Sequence, residues 1–108
     1  MNTRAFSRKQ ENKVAKMVNG KVVSNSGATA FNKGDVRTDK ILIECKTCTK
    51  EKESFSIKKE WLTKNKDEAF AMGKQYSVLA FDFGDGENYF ILDKNLFKKF
   101  VNYIEEEN

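Results

Sequence analysis

Apolar and polar side chains interleave along Ile41-Leu42-Ile43-Glu44-Cys45-Lys46-Thr47, a run rich in β-branched residues that predicts a strand. Successive side chains in a strand point to opposite sides, so Ile41, Ile43 and Cys45 share one face and Leu42, Glu44 and Lys46 the other. Upstream, Ser7 to about Val18 reads as a helix. Ser7 is its cap, Gln10-Glu11 lies in its first turn, Val14, Met17 and Val18 form its apolar face, and Asn19-Gly20 stops it. Lys21 to Ser24 is a short strand, residues 25–33 a polar loop, and Asp35 to Thr38 a second strand that turns back through Thr38-Asp39-Lys40. Downstream, a helix runs from about Ile57 to Met72, with Trp61, Leu62, Ala69 and Met72 facing inward and Gly73 as its stop. Tyr76 to Phe83 and Tyr89 to Leu92 read as strands around a Gly84-Asp85-Gly86 turn, and Asn95 to Glu105 as an amphipathic terminal helix. The order α, β, β, β, α, β, β, α predicts one α/β domain spanning residues 1–108, with no internal repeat and no proline-rich linker.

An apolar strand that sets a carboxylate and an ammonium side by side on one face holds either a salt bridge or chemistry. Asp35 favours chemistry, because antiparallel pairing across the predicted hairpin brings it close to Glu44. Two carboxylates converging at a strand end form an oxygen site suited to Mg²⁺, which keeps several waters and takes one or two protein carboxylates. Lys46, one alternation beyond Glu44, is placed to orient or deprotonate a water, or to stabilise charge building on a phosphate.

Charge sharpens this picture. Lys and Arg number 20 against 16 Asp and Glu, and residues 1–40 alone carry nine basic and three acidic side chains. The positive field therefore gathers where the candidate site begins, while Glu105-Glu106-Glu107 forms an acidic end. A basic surface around a carboxylate site fits a polyanion that the carboxylates reach through a metal. Lysine kept only for solubility would give the same composition. No apolar stretch approaches a membrane span, and no hydrophobic segment follows the N-terminal charges, so the chain reads as a soluble, cytoplasmic protein.

Several features have plainer readings. Cys45 and Cys48 form a C-x-x-C, but Cys45 lies inside the strand and the chain has no histidine, so one buried and one exposed thiol is preferred to a redox pair or zinc site. Glu11 can be a simple helix carboxylate, Lys46 a partner for Glu44, and Ser26-Gly27 an ordinary turn. Asp82, Asp85 and Glu87 are read as turn residues rather than a calcium loop. Lys50-Glu51-Lys52-Glu53 is read as a solvated segment. Phe81, Phe83, Phe90, Phe97 and Phe100 are assigned to the core, and Phe31 in the polar loop is the phenylalanine that could meet DNA.

The succession of helix, three strands, helix and strand, with Gly34-Asp35-Val36 followed by Ile43-Glu44-Cys45-Lys46, resembles the PD-(D/E)xK nuclease superfamily. Glu11 on the first helix and Ser24-Asn25-Ser26-Gly27-Ala28 between the first two strands resemble the small Holliday-junction resolvases of archaea and phages. The resemblance covers roughly residues 7–92 and departs from the pattern in having glycine, not proline, before Asp35. It implies a restriction-endonuclease-like core, α-β-β-β-α-β-β, with a central mixed sheet flanked by helices and a C-terminal helix. It also implies Mg²⁺ or Mn²⁺ on Asp35, Glu44 and the Cys45 carbonyl, with Glu11 completing the cluster directly or through water. Lys46 would position the attacking water, Ser26, or failing it Ser24, would approach the scissile phosphate, and Gln75 could add a polar group. Arg4, Arg8, Lys9, Ser26, Lys33 and Arg37 are the candidate DNA contacts. A phage or prophage origin would fit.

The expected function is metal-dependent hydrolysis of DNA phosphodiesters at branched four-way junctions. Cutting two symmetry-related strands with one site per chain implies a homodimer. The terminal helix, with Leu96, Phe97, Phe100, Val101 and Ile104 at helical spacing, either supplies part of that interface or covers the sheet. The alternatives are another nuclease of the superfamily, of nicking, repair or restriction type, and a DNA-binding module without catalysis.

Overall fold

A computed structural model describes residues 3–23 and 36–106 of the chain. Its elements are α1 (Thr3–Val18), β1 (Lys21–Val22), β2 (Val36–Arg37), β3 (Ile41–Lys46), α2 (Lys59–Ala71), β4 (Tyr76–Asp82), β5 (Asn88–Leu92) and α3 (Lys94–Glu106). The order matches the sequence expectation, and the five strands form one mixed sheet in the order β1-β2-β3-β4-β5. β3 and β4 run parallel, joined through α2; the other neighbours are antiparallel. A parallel pair needs such a crossover, and a helix is its usual form. Among the described residues no helix is long and apolar enough to cross a membrane.

The two long stop signals work as the sequence suggests. At the end of α1, Asn19 takes the left-handed conformation (φ 56°), and Gly20 N–H donates to the Ala15 carbonyl at 2.8 Å. At the end of α2, Gly73 does the same (φ 73°), and Lys74 N–H donates to Ala69 at 2.8 Å. Both are Schellman closures that satisfy carbonyls the helix itself leaves open. Gly20 is also needed for space: a Cβ there would lie 2.5 Å from the Arg37 carbonyl oxygen, so any side chain would push α1 off β2.

The start of α1 differs from expectation, beginning at Thr3 rather than after Ser7. Nothing in Thr3-Arg4-Ala5-Phe6 breaks a helix, and the polar Ser7 is tolerated within one. Its buried stripe is Gln10, Val14 and Ala15 with Val18 beside them, while Met17, expected to face inward, is 60% exposed. The apolar arc is therefore rotated toward Gln10 by one position.

The sheet separates two environments. Val36, Ile43, Val78 and Ala80 pack against Val14 and Ala15 of α1, joined by Ile41, Cys45, Phe90, Leu92 and Leu96. On the opposite face Leu42, fully buried, meets Ala69 and Met72 of α2 and Val23. The alternation predicted for residues 41–46 is thus observed, with Ile41, Ile43 and Cys45 toward α1. Two core assignments fail: Phe97 and Phe100 on α3 are 53% and 51% exposed. Cys48, expected to be exposed, is buried, because the strand ends at Lys46 and alternation no longer sets its direction. Both cysteines are free thiols.

Candidate active site at the end of β3

The expected hairpin places the candidate site. Val36 pairs with Ile43 and Arg37 with Leu42. The turn is closed by Thr38 N–H donating to the Ile41 carbonyl (2.9 Å), Ile41 N–H donating to Thr38 Oγ1 (3.1 Å), and Lys74 Nζ donating to the carbonyls of Thr38 (2.8 Å) and Asp39 (3.0 Å). Of the sequence-predicted residues, Ser26, Lys33 and Asp35 lie outside the described residues, as do Phe31 and Ser24, and Arg4 lies in α1 with its side chain outside them. Asp35 is the chain neighbour of Val36, and Val36 is paired with the chain neighbour of Glu44.

Glu44 and Lys46 project from the α2 face and form an ion pair, with Lys46 Nζ 3.4 Å from Glu44 Oε2. Neither side chain is more than a third exposed, which raises the pair above the ordinary surface bridge. The Lys46 ammonium also sits 4.4 Å from the centre of the Trp61 ring, within cation–π range. Trp61 is held in turn by Phe55, with ring centres 6.2 Å apart, and Phe55 continues into Phe81, Phe83 and Tyr89. Sequence reasoning placed Trp61 in the core; its position as a shelf under Lys46 needs the three-dimensional pairing of α2 with β3. The available signal was weak: Trp61 is the only tryptophan, in the helix predicted to cross over this strand.

Glu11 lies on α1, which packs on the face of the sheet opposite to the one from which Glu44 and Lys46 project. Its carboxyl is held above its ordinary value of 4.5, chiefly by burial; Arg8 opposes the rise and the charge of Glu44 adds to it. The charge of Glu44 thus acts on Glu11, as the smallest of the three causes. Gln10 fixes the packing of α1: its Nε2 donates to the Lys46 carbonyl at 2.9 Å and to Asn88 Oδ1 at 3.0 Å, tying α1 to β3 and β5. Arg8, Lys9 and Arg37 are exposed, as DNA contacts must be.

A cleft of about 210 Å³ opens on the α2 side, lined by Glu44, Lys46, Glu60, Trp61, Lys64, Asn65 and Glu68. Glu60, Lys64 and Glu68 recur every four residues and so share one face of α2. Asn65 is 3% exposed; its Nδ2 donates to the carbonyls of Val78 (3.1 Å) and Leu42 (3.4 Å), while Oδ1 has no partner. A buried unpaired acceptor costs about 1–3 kcal/mol. None of these α2 polar residues is singled out by the sequence.

One expectation is corrected here and one holds. Gln75 is exposed and sits beside Lys40, whose carbonyl accepts from Gln75 N–H at 2.8 Å. Because β4 runs parallel to β3, with Ile41 beside Tyr76 and Lys46 beside Phe81, Gln75 lies at the far end of the sheet from Glu44 and Lys46. Its possible role at the site is withdrawn. Asp82 is buried and accepts from the Thr47 hydroxyl and from Gly84 N–H, and Asp85 accepts from Glu87 N–H at 3.1 Å, so both serve turns as expected.

Glu11 and Glu44 are oxygen donors of the kind a hard divalent cation takes. Among the described residues no group of three or more His, Cys, Asp or Glu side chains that could hold a metal gathers, and the carboxylates lining the cleft itself are Glu44, Glu60 and Glu68. In comparisons with family models, curated proteins and solved structures, nothing matches the chain.

Proposed function

We propose that this chain is a metal-dependent endonuclease that hydrolyses DNA phosphodiester bonds. The observation that carries the reading is Glu44 and Lys46 ion-paired at 3.4 Å on one strand, with the Glu11 carboxyl raised in part by Glu44. The restriction-endonuclease-like form of the mixed sheet, and the four-way junction as preferred substrate, belong to the same proposal and draw on the motif resemblance.

Glu44 and Glu11, with Asp35 and the Cys45 carbonyl, would hold Mg²⁺ or Mn²⁺. A divalent ion there neutralises charge on the phosphate and makes a bound water a better nucleophile. The rest falls to the chain itself. The Lys46 ammonium, steadied by Glu44 and the Trp61 ring, donates toward a non-bridging phosphate oxygen, where negative charge grows as water attacks phosphorus. The phosphorus–oxygen bond opposite the attack then breaks; the attacking water gives up a proton to solvent and the leaving oxygen takes one from solvent, so one water is consumed for each bond cut. Arg8, Lys9 and Arg37 supply salt-sensitive attraction to the backbone, and Ser26 and Lys33 extend that surface by resemblance. Two copies of the chain would give the two sites that paired cuts require.

One observation favours the non-catalytic reading: Lys46 already has both a carboxylate and an aromatic partner, as a purely structural lysine would. Incubation with four-way junctions, flaps, linear duplex and single strands, with Mg²⁺ and with EDTA, separates the possibilities. The proposal expects Mg²⁺-dependent cleavage with the junction cut best. Preference for another substrate would move the chain to another nuclease type, and tight binding without cleavage of any of them would favour the binding module.

A further inference from the structure

The terminal helix α3 carries two anomalies at once. Phe97, Phe100, Tyr103 and Ile104 are 53%, 51%, 69% and 46% exposed, and Val101 is 38% exposed. Leu96 alone of its apolar residues joins the core. With aromatic side chains of about 150–250 Å² each, half-exposed, this face leaves on the order of 400 Å² of apolar surface in water. A patch of that size is within the roughly 300–600 Å² of the largest patch on a typical monomer, which is often a functional surface.

The charges on the same helix run the wrong way. Its first turn holds Lys94 and its last turn Glu105 and Glu106, with no acidic residue in the first turn and no basic one in the last. The helix dipole favours the opposite arrangement. Nor do the charges find partners along the helix: Lys94 and Lys98 are one turn apart and repel, while the residues one turn before Glu105 and Glu106 are Val101 and Asn102. Yet the helix is deliberately started, with Asp93 Oδ1 accepting from Leu96 N–H at 2.8 Å.

We infer that α3 docks antiparallel against α3 of a second copy of this chain. Lys94, Lys98, Val101 and Glu105 follow one another at spacings of four, three and four, so they form one flank of the apolar stripe. Antiparallel pairing brings the basic start of each flank against the acidic end of the other, twice, related by a two-fold axis. The charges that strain the single helix then become cross-chain pairs around a seam of Phe97, Phe100 and Ile104. A parallel pair would set each charged flank against the partner's opposite flank and form no such pairs. The pair of helices buries on the order of 800 Å² in total, less than the roughly 1,200 Å² of a stable interface, so the dimer is a weak, concentration-dependent one that salt loosens further. This rests on the helix alone and is independent of the nuclease reading.

Sedimentation of the full chain under reducing conditions, from about 1 to about 300 µM, reads the equilibrium directly. A shift from monomer to dimer is expected, with Phe100→Glu monomeric throughout and its circular dichroism unchanged, since Phe100 is exposed. The charge variants fix the orientation. Glu105→Lys/Glu106→Lys alone dissociates about tenfold or more readily. The full exchange Lys94→Glu/Lys98→Glu/Glu105→Lys/Glu106→Lys again self-associates but does not pair with the unaltered chain. An unaltered chain that stays monomeric across the range, or a dimer indifferent to Phe100→Glu, overturns the inference. An exchanged chain that pairs with the unaltered one overturns the antiparallel arrangement. None of these measurements involves DNA, so their failure is separable from a failure to cleave.

Discussion

The two faces of one strand, β3, differ in what they carry: one is closed by apolar packing, the other ends in a charged cleft. Toward α1, Ile41, Ile43 and Cys45 enter a cluster built from Val14, Ala15, Val36, Val78 and Ala80. Toward α2, the same strand gives Leu42 to a smaller cluster and then Glu44 and Lys46 to a cleft, beside an Asn65 whose Oδ1 has no partner. The first face is closed mainly by apolar packing and the second sets an ion pair at an open cleft, while each side has one buried amide oxygen without a partner among the described residues, Gln10 Oε1 on α1 and Asn65 Oδ1 on α2. That division, with period two along six residues, is the physical reason to look for function at the end of β3.

Substitutions that break the comparison should differ in size. Ile43→Ala empties a closed, 2% exposed site and is expected to cost about 2–5 kcal/mol, read as a fall of the urea midpoint at unchanged slope. Trp61→Ala removes a half-buried ring and the shelf under Lys46, for about 1–3 kcal/mol in the same measurement. Glu44→Gln, which breaks only the ion pair, should change stability by about 1 kcal/mol or less. If Glu44→Gln destabilised as much as Ile43→Ala, the α2 face would be structural and the contrast would collapse.

The fourth outcome concerns pH. The Glu11 carboxyl is raised above 4.5, so between that value and its folded value the native state binds more protons than the unfolded chain. Stability then falls as pH rises through this window, and the penalty persists at neutral pH. Glu11→Gln should therefore raise the melting temperature at pH 7, with the gain fading as pH approaches about 4. Thermal melts of both proteins across pH check the sign: a lower melting temperature for Glu11→Gln at pH 7 would mean that the carboxylate is stabilised in place.

Much of this was legible in the chain. The element order, the alternation of residues 41–46, both glycine-associated helix stops and the hairpin turn rest on local rules that the fold does not override. What sequence reasoning missed depends on which distant segments meet. Met17 was assigned inward because it is apolar and at helical spacing, but the helix turns its Gln10 side to the sheet, where Gln10 bonds to Lys46 and Asn88. Phe97 and Phe100 were assigned to the core for the same reason, while only Leu96 of that stripe reaches it. Gln75 was placed near the site because it precedes a strand, and the parallel register put it at the other end. Of the cleft's lining, Glu44 and Lys46 are singled out by residue type and spacing; Trp61, Asn65 and the Glu60-Lys64-Glu68 face of α2 are not, since a crossover helix shows from sequence only that it is amphipathic.

The central claim, that the end of β3 is a hydrolytic centre, is tested most directly by measuring cleavage and binding of a labelled four-way junction by the unaltered chain and by Glu44→Gln, with Mg²⁺ and with EDTA. The expected result is cleavage by the unaltered chain that stops with EDTA, and a Glu44→Gln protein that binds the junction but no longer cuts it. A Glu44→Gln protein that cuts as well as the unaltered chain would contradict the claim.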